Sequence, residues 1–566
     1  MTARWLARAQ GATSVERHGR RVVVVGGGIS GLASAALLAR DGHEVTVLEK
    51  QPEVGGRAGS WEHEGFRFDL GPSWYLMPEV FDHFFRLMGT SSDEQLDLVE
   101  LDPGYRVVYE RGDTIDVPRG LERTVEAFDR VEPGSGPRLR RYLRSARDTY
   151  EIAKQRFLYT SFESYGPLLR GDVVVRLPKL LRLLLQPLDS FAGRIVREPR
   201  LRQILGYPAV FLGSSPFATP SMYHLMSTLD LDDGVLYPQG GITTVIGRIA
   251  DVARAAGVEI VTDARVTAIG TTPATDATAT GARATVRGVT WVDASGAEHT
   301  VEADTVVGAA DLHHTETRLL PPELRTHYDR HWASRDPGPS ALLMYLGVEG
   351  EVPELEHHTL LFAEDWHENF ARIYGDVKRI PDPPSLYVCK PSTVDPSTAP
   401  AGHTNLFVLV PLPADPALGR GGVDGDGDAL VERLADGVID QISRWAGVPD
   451  LADRVVVRRT RGPRDFVDDH SAWSGSMLGP AHTLSQSAMF REGNVSPHVE
   501  NLFFVGGSVR PGIGLPMCLI SAEVLVKNMR GDRSTEPLPE PATAGAGSGV
   551  AGSVAGANGA SGTGDA

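Results

Sequence analysis

The 566-residue chain has only two cysteines, Cys389 and Cys518, which excludes a disulfide framework and a thiolate cluster for zinc or iron–sulfur. Both read as buried small hydrophobes in a reducing, cytoplasmic setting. Positive charge is also scarce. The 56 Lys and Arg against 73 Asp and Glu leave a formal net charge of −17, and no basic stripe is present, so nucleic acid is excluded as a partner. No run reaches the ~18 uninterrupted apolar residues that a spanning helix needs. Residues 1–20 carry Arg4, Arg8, Arg17 and Arg20 but not the ~7–15-residue apolar stretch of a secretory signal, and they read as a disordered arm. Residues 531–566 fall into Gly, Ala, Ser, Pro and Thr and read as a disordered tail. A Walker A loop, an H-E-x-x-H helix and a recognisable Ser–His–Asp set are all missing. The run from Asp424 to Asp428 starts like a calcium loop. However, Ala429 stands where the turn glycine belongs and Ala435 where the bidentate glutamate belongs. No metal site is expected, and His224, His313 and His314 read as structural or solvated.

What is present begins at Arg21. A β-branched run ends at Gly26, a small-residue helix spans Ser30 to Arg40, and a second strand runs Glu44 to Leu48. The turn between them is G-x-G-x-x-G, made of Gly26, Gly28 and Gly31, with Glu49 closing the second strand. The first glycine permits the tight turn, the second lets backbone approach a pyrophosphate, and the third lets helix and strand pack. The helix N-terminus then presents free N–H groups and a positive dipole end to phosphate. Glu49 is placed to accept from ribose hydroxyls and to repel a 2′-phosphate.

Two further features choose FAD over NAD. Gly55-Gly56-Arg57 is a glycine turn that can offer a guanidinium to cofactor phosphates. Far along the chain, the strand Asn501 to Val505, the turn Gly506-Gly507 and the helix Leu515 to Met529 bring a second helix N-terminus back to the same cofactor. The competing readings are a surface Arg57 and an ordinary β-turn at Gly506.

The rest of the chain supplies Gly240 to Ala256 as a helix, Val258 to Thr262 as a strand and Val301 to Ala309 as one buried strand. Thr271 to Gly281 reads as an exposed hairpin loop, and Pro411 to Asp428 as a surface loop. The expected fold class is α/β: a Rossmann-like FAD-binding domain from residues 21–100, 240–310 and 498–530. A discontinuous α+β substrate-binding and helical domain takes residues 101–239 and 311–497.

Several segments together resemble the bacterial carotenoid desaturases of the phytoene desaturase type. They are Gly55 to Ala58, Phe68 to Pro72, Leu205 to Pro216, Gly234 to Gly241, and Pro511 to Glu523. The resemblance runs from about Arg21 to Arg530, although the fingerprint and the Gly-Gly-Arg turn are shared with amine and porphyrinogen oxidases. It implies FAD-dependent removal of hydrogen pairs from a long-chain polyene, phytoene towards lycopene, with FAD reoxidised by oxygen or a quinone. Gly26, Gly28, Gly31, Glu49, Gly55, Gly56, Arg57, Gly506 and Gly507 carry over as FAD contacts. An amine or porphyrinogen oxidase, and a nucleotide-binding module without turnover, stay open as alternatives.

Leu177, Leu180, Leu181, Leu184, Leu185 and Leu188 share one helical face, with Lys179 and Arg182 opposite. A basic amphipathic helix of this kind either lies on the lipid bilayer surface, making the enzyme peripheral on the cytoplasmic face of the membrane, or packs inward. Asp189, just after it, and nearby Arg194 are the only candidates the sequence offers for a proton acceptor and its partner. A surface salt bridge is the competing role for both.

Overall fold

A computed structural model of the chain describes residues 19–162, 179–274 and 282–541. β1 (Arg21–Val25), α1 (Ile29–Arg40) and β2 (Glu44–Leu48) form the expected strand–helix–strand unit. Two later stretches complete its sheet: α2 (Ile242–Ala255) with β3 (Glu259–Val261), then β4 (Thr305–Gly308) and β5 (Leu502–Phe504), followed by α3 (Leu515–Arg530). The sheet order is β5-β4-β1-β2-β3, and every pairing is parallel.

Because parallel strands are covered on both faces, β1 reads as unbroken Val rather than alternating. Val22 and Val24 face α1, α2 and α3, where Leu32, Ala36, Ile249 and Ile520 are fully buried. Val23 and Val25 face a smaller sheet and join Ala264, Val286 and Phe504. The alanines of α1 let α2 and α3 approach it closely: Ala33, Ala35 and Ala36 have no exposed surface.

The smaller sheet is Arg265–Pro273, Ala284–Val292 and Glu298–Glu302, with the short strand Val499–Glu500 added to its middle strand. The stretch expected as one buried strand, Val301 to Ala309, is therefore split between two sheets. Glu298–Glu302 is mostly exposed, while Thr305–Gly308 is buried in the parallel sheet. The strand Arg265–Pro273 also extends into the expected hairpin loop, of which residues 275–281 lie outside the described residues.

The second domain is a seven-stranded mixed sheet in the order Val455–Arg461, Ser340–Glu349, His403–Leu412, Leu386–Cys389, His358–Phe362, Tyr105–Tyr109, Thr114–Val117. The helices Leu121–Val131, Gly136–Ala153 and Pro199–Gly206 pack over one of its faces, around Phe128, Tyr142, Leu205 and Tyr207. No helix among the described residues is long and apolar enough to cross a membrane.

Residues 531–541 correct the expected tail. Leu538 and Thr535 are 2% exposed, and the buried Lys527 ammonium donates to the carbonyls of Tyr159, Ser534 and Glu536 at 2.8, 2.6 and 2.8 Å. The low-complexity composition hid one leucine and a run of carbonyls that a lysine of α3 needed. Residues 1–18 and 542–566, the remainder of the expected arm and tail, lie outside the described residues.

Candidate active site

One large cavity of about 760 Å3 starts at the fingerprint turn and runs between the two domains. Its nucleotide end is made by Gly28, Ser30, Gly55, Arg57, Gly506 and Gly507, so segments far apart in sequence meet there. Each glycine does something different. Gly26 has φ +109°, a conformation open to few other residues. A Cβ at Gly31 would sit 2.0 Å from the Gly26 carbonyl oxygen, so this glycine is the contact between α1 and the turn. A Cβ at Gly28 would meet nothing within 4 Å, because that position faces the open cavity. Gly55 N–H donates to the Gly27 carbonyl at 2.9 Å and docks the Gly-Gly-Arg turn on the fingerprint. On the far side Gly506 has φ +103°, its N–H donates to Ser521 Oγ at 3.1 Å, and a Cβ there would lie 2.9 Å from Ser30 Oγ.

Glu49 is buried and turns its carboxylate back on the turn, accepting from Gly27 N–H at 2.6 Å and Gln51 N–H at 2.9 Å. It is not itself in the cavity wall. Arg57 is half-buried with its open side on the cavity, while its Nε and Nη2 are shielded and have no partner. Burial pulls its guanidinium below the ordinary range, and Asp311 pushes it back. A cation with unmatched donors, a backbone cradle with open space at Gly28 and the N-terminus of α3 (Gly514 to Cys518) on the same wall together fit a dinucleotide pyrophosphate. Cys518 lies beside them with its thiol pushed up to about 11 by burial, and so stays protonated.

Beyond the nucleotide end the wall is largely Leu, Met, Phe, Trp and Tyr, including Leu158, Phe211, Tyr223, Met226, Phe370 and Phe490. Asp311 is the only carboxylate among the described wall residues and stays beside Arg57, accepting from His314 N–H at 3.1 Å and Trp473 N–H at 3.3 Å. The leucine-rich segment is helical over residues 179–185; the part before it lies outside the described residues. Its leucines divide between two surroundings. Leu180 and Leu184 line the cavity, whereas Leu181 and Leu185 are 47% and 74% exposed; Phe490, also in the wall, is 57% exposed.

Asp189 and Arg194 are not brought to the cavity. Asp189 pairs with Arg202, and Arg194 donates to Gln186 Oε1 at 3.2 Å on the surface. His224 is buried, bonded through its ring to the Ser221 carbonyl at 2.8 Å, and His313 packs edge-on against Trp332. The fold also assembles polar groups that sequence spacing gave no sign of. Tyr207 reaches Asp230, and Tyr387 reaches both Ser73 and His358, each from a different element.

This constellation defines a flavin-dependent oxidoreductase built on a dinucleotide fold with a separate apolar substrate domain. The sequence profile of the flavin-containing amine oxidoreductases matches residues 29–524, and the chain belongs to that family, in its carotenoid desaturase branch. A carotenoid 3,4-desaturase of Haloarcula japonica is 41% identical over 89% of this chain and 97% of its own. A zeta-carotene-forming phytoene desaturase of Myxococcus xanthus is 34% identical over 91% and 95%. Among solved structures, an oxidoreductase from Methanosarcina mazei (TM-score 0.56, 16% identity, 90% of this chain and 100% of that one) shares the fold. So does a putrescine oxidase with putrescine bound (TM-score 0.54, 15% identity, 91% and 99%). The protein is thus an FAD enzyme of carotenoid desaturation acting on CH–CH bonds, which removes the amine-oxidase and non-catalytic alternatives.

Proposed function

We propose that the chain desaturates a long acyclic C40 polyene, phytoene towards lycopene, which it draws from the lipid bilayer. The observation that carries this reading is the cavity. Its lining beyond Arg57 and Asp311 is mostly apolar and aromatic, and it includes the exposed Phe490 together with Leu180 and Leu184, whose helix neighbours Leu181 and Leu185 are exposed. A hydrocarbon gains from every such contact, at ~25 cal/mol per Å2 of apolar surface removed from water. An amine substrate would instead leave its cation without a carboxylate there.

FAD, when bound, supplies the hydride acceptor. The chain's own part is to hold the polyene straight, exclude water and accept the proton from the neighbouring carbon. Gly28, the Gly55-Gly56-Arg57 turn and the Gly506-Gly507 return hold the cofactor at one end of the channel. The exposed Leu181 and Leu185 rest on the cytoplasmic face of the membrane, and oxygen or a quinone takes the electrons.

The 41% identity to a carotenoid 3,4-desaturase favours a second reading, in which the new double bond is placed at the 3,4 position of an already conjugated carotenoid. Pigment extraction from two bacterial strains expressing this chain, one accumulating phytoene and one lycopene, separates the two. Lycopene formed in the first supports the leading reading, and a red-shifted product only in the second supports the other. Unchanged pigment in both, with soluble flavinated protein present, refutes both. For the membrane, Leu181→Glu with Leu185→Glu is expected to abolish liposome pelleting while leaving bound flavin unchanged; intact pelleting would end that proposal.

A further inference from the structure

Desaturation leaves a proton to be disposed of inside a channel that has little water. The one carboxylate on the described wall, Asp311, lies at the nucleotide end beside Arg57. The remaining route must pass through a polar group that meets the wall and leads to a base behind it.

Tyr207 meets this condition. It lies in the wall, at the start of the segment Tyr207–Leu212, and its phenol donates to Asp230 Oδ2 at 2.6 Å. Asp230 is 5% exposed and stands behind the wall in the helix Ser227–Leu231. A second phenol, Tyr105, donates to the same oxygen at 3.0 Å from outside the wall, while Asp230 Oδ1 is buried with no partner. A buried carboxylate with one oxygen held by two phenols and the other without a side-chain partner has room to accept a proton.

A rival route fails on charge. Ser73 Oγ and Tyr387 Oη, both in the wall, lie 2.7 Å apart, and Tyr387 Oη lies 2.6 Å from His358 Nδ1. Burial holds His358 well below its ordinary range, and neighbouring His357 pushes it lower. An imidazolium formed there would have no counter-charge. At Asp230 the same event removes a charge instead of creating one.

We propose that Tyr207 is the proton-accepting residue of the reaction and that Asp230 acts through it. The C–H bond on the first carbon breaks, and its electron pair leaves with the hydride to FAD. The C–H bond on the adjacent carbon breaks, its electron pair becoming the new C=C bond. That proton goes to Tyr207 Oη as the Tyr207 hydroxyl proton passes to Asp230 Oδ2, leaving a neutral phenol and a carboxylic acid. Burial lifts the Asp230 carboxyl to about 6, with the Tyr207 and Tyr105 hydrogen bonds pulling it down, which poises it near a cell's working pH. The titratable groups facing it are the phenols of Tyr105, Tyr207 and Tyr142, all pushed upward by burial and all neutral. Arg147 is held by Asp232 and Asp233.

This inference rests on the polyene reading above, and the experiment keeps the two apart. Holoenzymes of wild type, Tyr207→Phe, Asp230→Asn and Tyr105→Phe are mixed anaerobically with polyene in liposomes, and flavin bleaching is followed from pH 5 to 8. Flavin content is checked by absorbance, and the Asp230 carboxyl is titrated by infrared difference spectroscopy in flavin-free protein. Tyr207→Phe and Asp230→Asn are expected to slow bleaching ~100-fold at equal flavin content, as loss of a general base does. Tyr105→Phe, which removes a phenol from the same carboxylate without touching the wall, slows it at least ~10 times less. The wild-type rate falls on acidification through about 6, and that step vanishes with Asp230→Asn. A Tyr207→Phe rate within ~3-fold of wild type, or equal losses from both tyrosines, would overturn the relay. If no polyene bleaches wild type, the substrate reading falls; the relay falls separately if the infrared titration shows no carboxyl lost in Asp230→Asn.

Discussion

Gly28→Ala and Gly31→Ala, three residues apart, should fail in opposite ways. At Gly31 the new Cβ would lie 2.0 Å from the Gly26 carbonyl oxygen and 3.1 Å from Ala309 Cβ. A carbon and an oxygen settle at ~3.5 Å, so α1 or the turn must move by more than 1 Å. Since ten residues of α1 are buried, that movement is resisted along the whole helix. Overpacking of this kind costs ~1–3 kcal/mol, and a backbone clash belongs at the upper end. At Gly28 nothing lies within 4 Å, and φ −72° with ψ 174° suits alanine. The flavin-free protein should therefore keep its stability within ~0.5 kcal/mol. The methyl group instead stands where backbone must approach the pyrophosphate, and FAD affinity should fall ~10–100-fold, or ~1.4–2.7 kcal/mol. Urea unfolding of the flavin-free proteins and calorimetric titration with FAD read the two effects separately. Unchanged FAD affinity in Gly28→Ala would refute the assignment of this turn to the cofactor, and unchanged stability in Gly31→Ala would refute the packing argument.

Replacing Arg57 by Met should weaken FAD by ~1.5–3 kcal/mol, the worth of a charge-assisted contact, while leaving the flavin-free protein as stable or more so, because Nε and Nη2 are shielded without partners. Paired FAD titration and urea unfolding check both signs. His327 is raised to about 9: burial opposes its charge, but the carboxylates of Glu316 and Glu492, at 2.9 and 2.6 Å, outweigh it. Its folded value lies above its unfolded one, so its contribution, on the order of 3 kcal/mol, is complete below about 6.5 and is lost as pH rises through about 9. Unfolding free energies of wild type and His327→Leu should therefore converge between pH 6 and 10. Ending the chain at Arg530 strips Lys527 of the Ser534 and Glu536 carbonyls and uncovers Leu538's site, and should cost at least ~3 kcal/mol, read as a lower melting temperature.

The nucleotide half of the site was legible because its chemistry is local. Gly26, Gly28 and Gly31 occupy fixed steps along one turn, and the residues that need them, β1 and α1, adjoin them in sequence. Sequence also identified Gly506-Gly507 as a return to that turn, and one leucine face from Leu177 to Leu188 that either rests on lipid or packs inward. It could not assign those partners, since helical spacing says which leucines share a face but not which of them meet a cavity.

Asp189 shows the limit from the other side. A carboxylate next to an apolar helix looked available, and only the fold supplied Arg202 to neutralise it. Tyr207 and Asp230, 23 residues apart with no motif between them, meet because a helix turn and the wall of the second domain cross there. Local backbone demands are written in consecutive residues and survive as motifs. A proton acceptor needs only a distance and a dielectric, both of which are properties of packing. The sequence by itself therefore determined the cofactor and the class of reaction, and the tertiary structure alone decided which groups face the cavity.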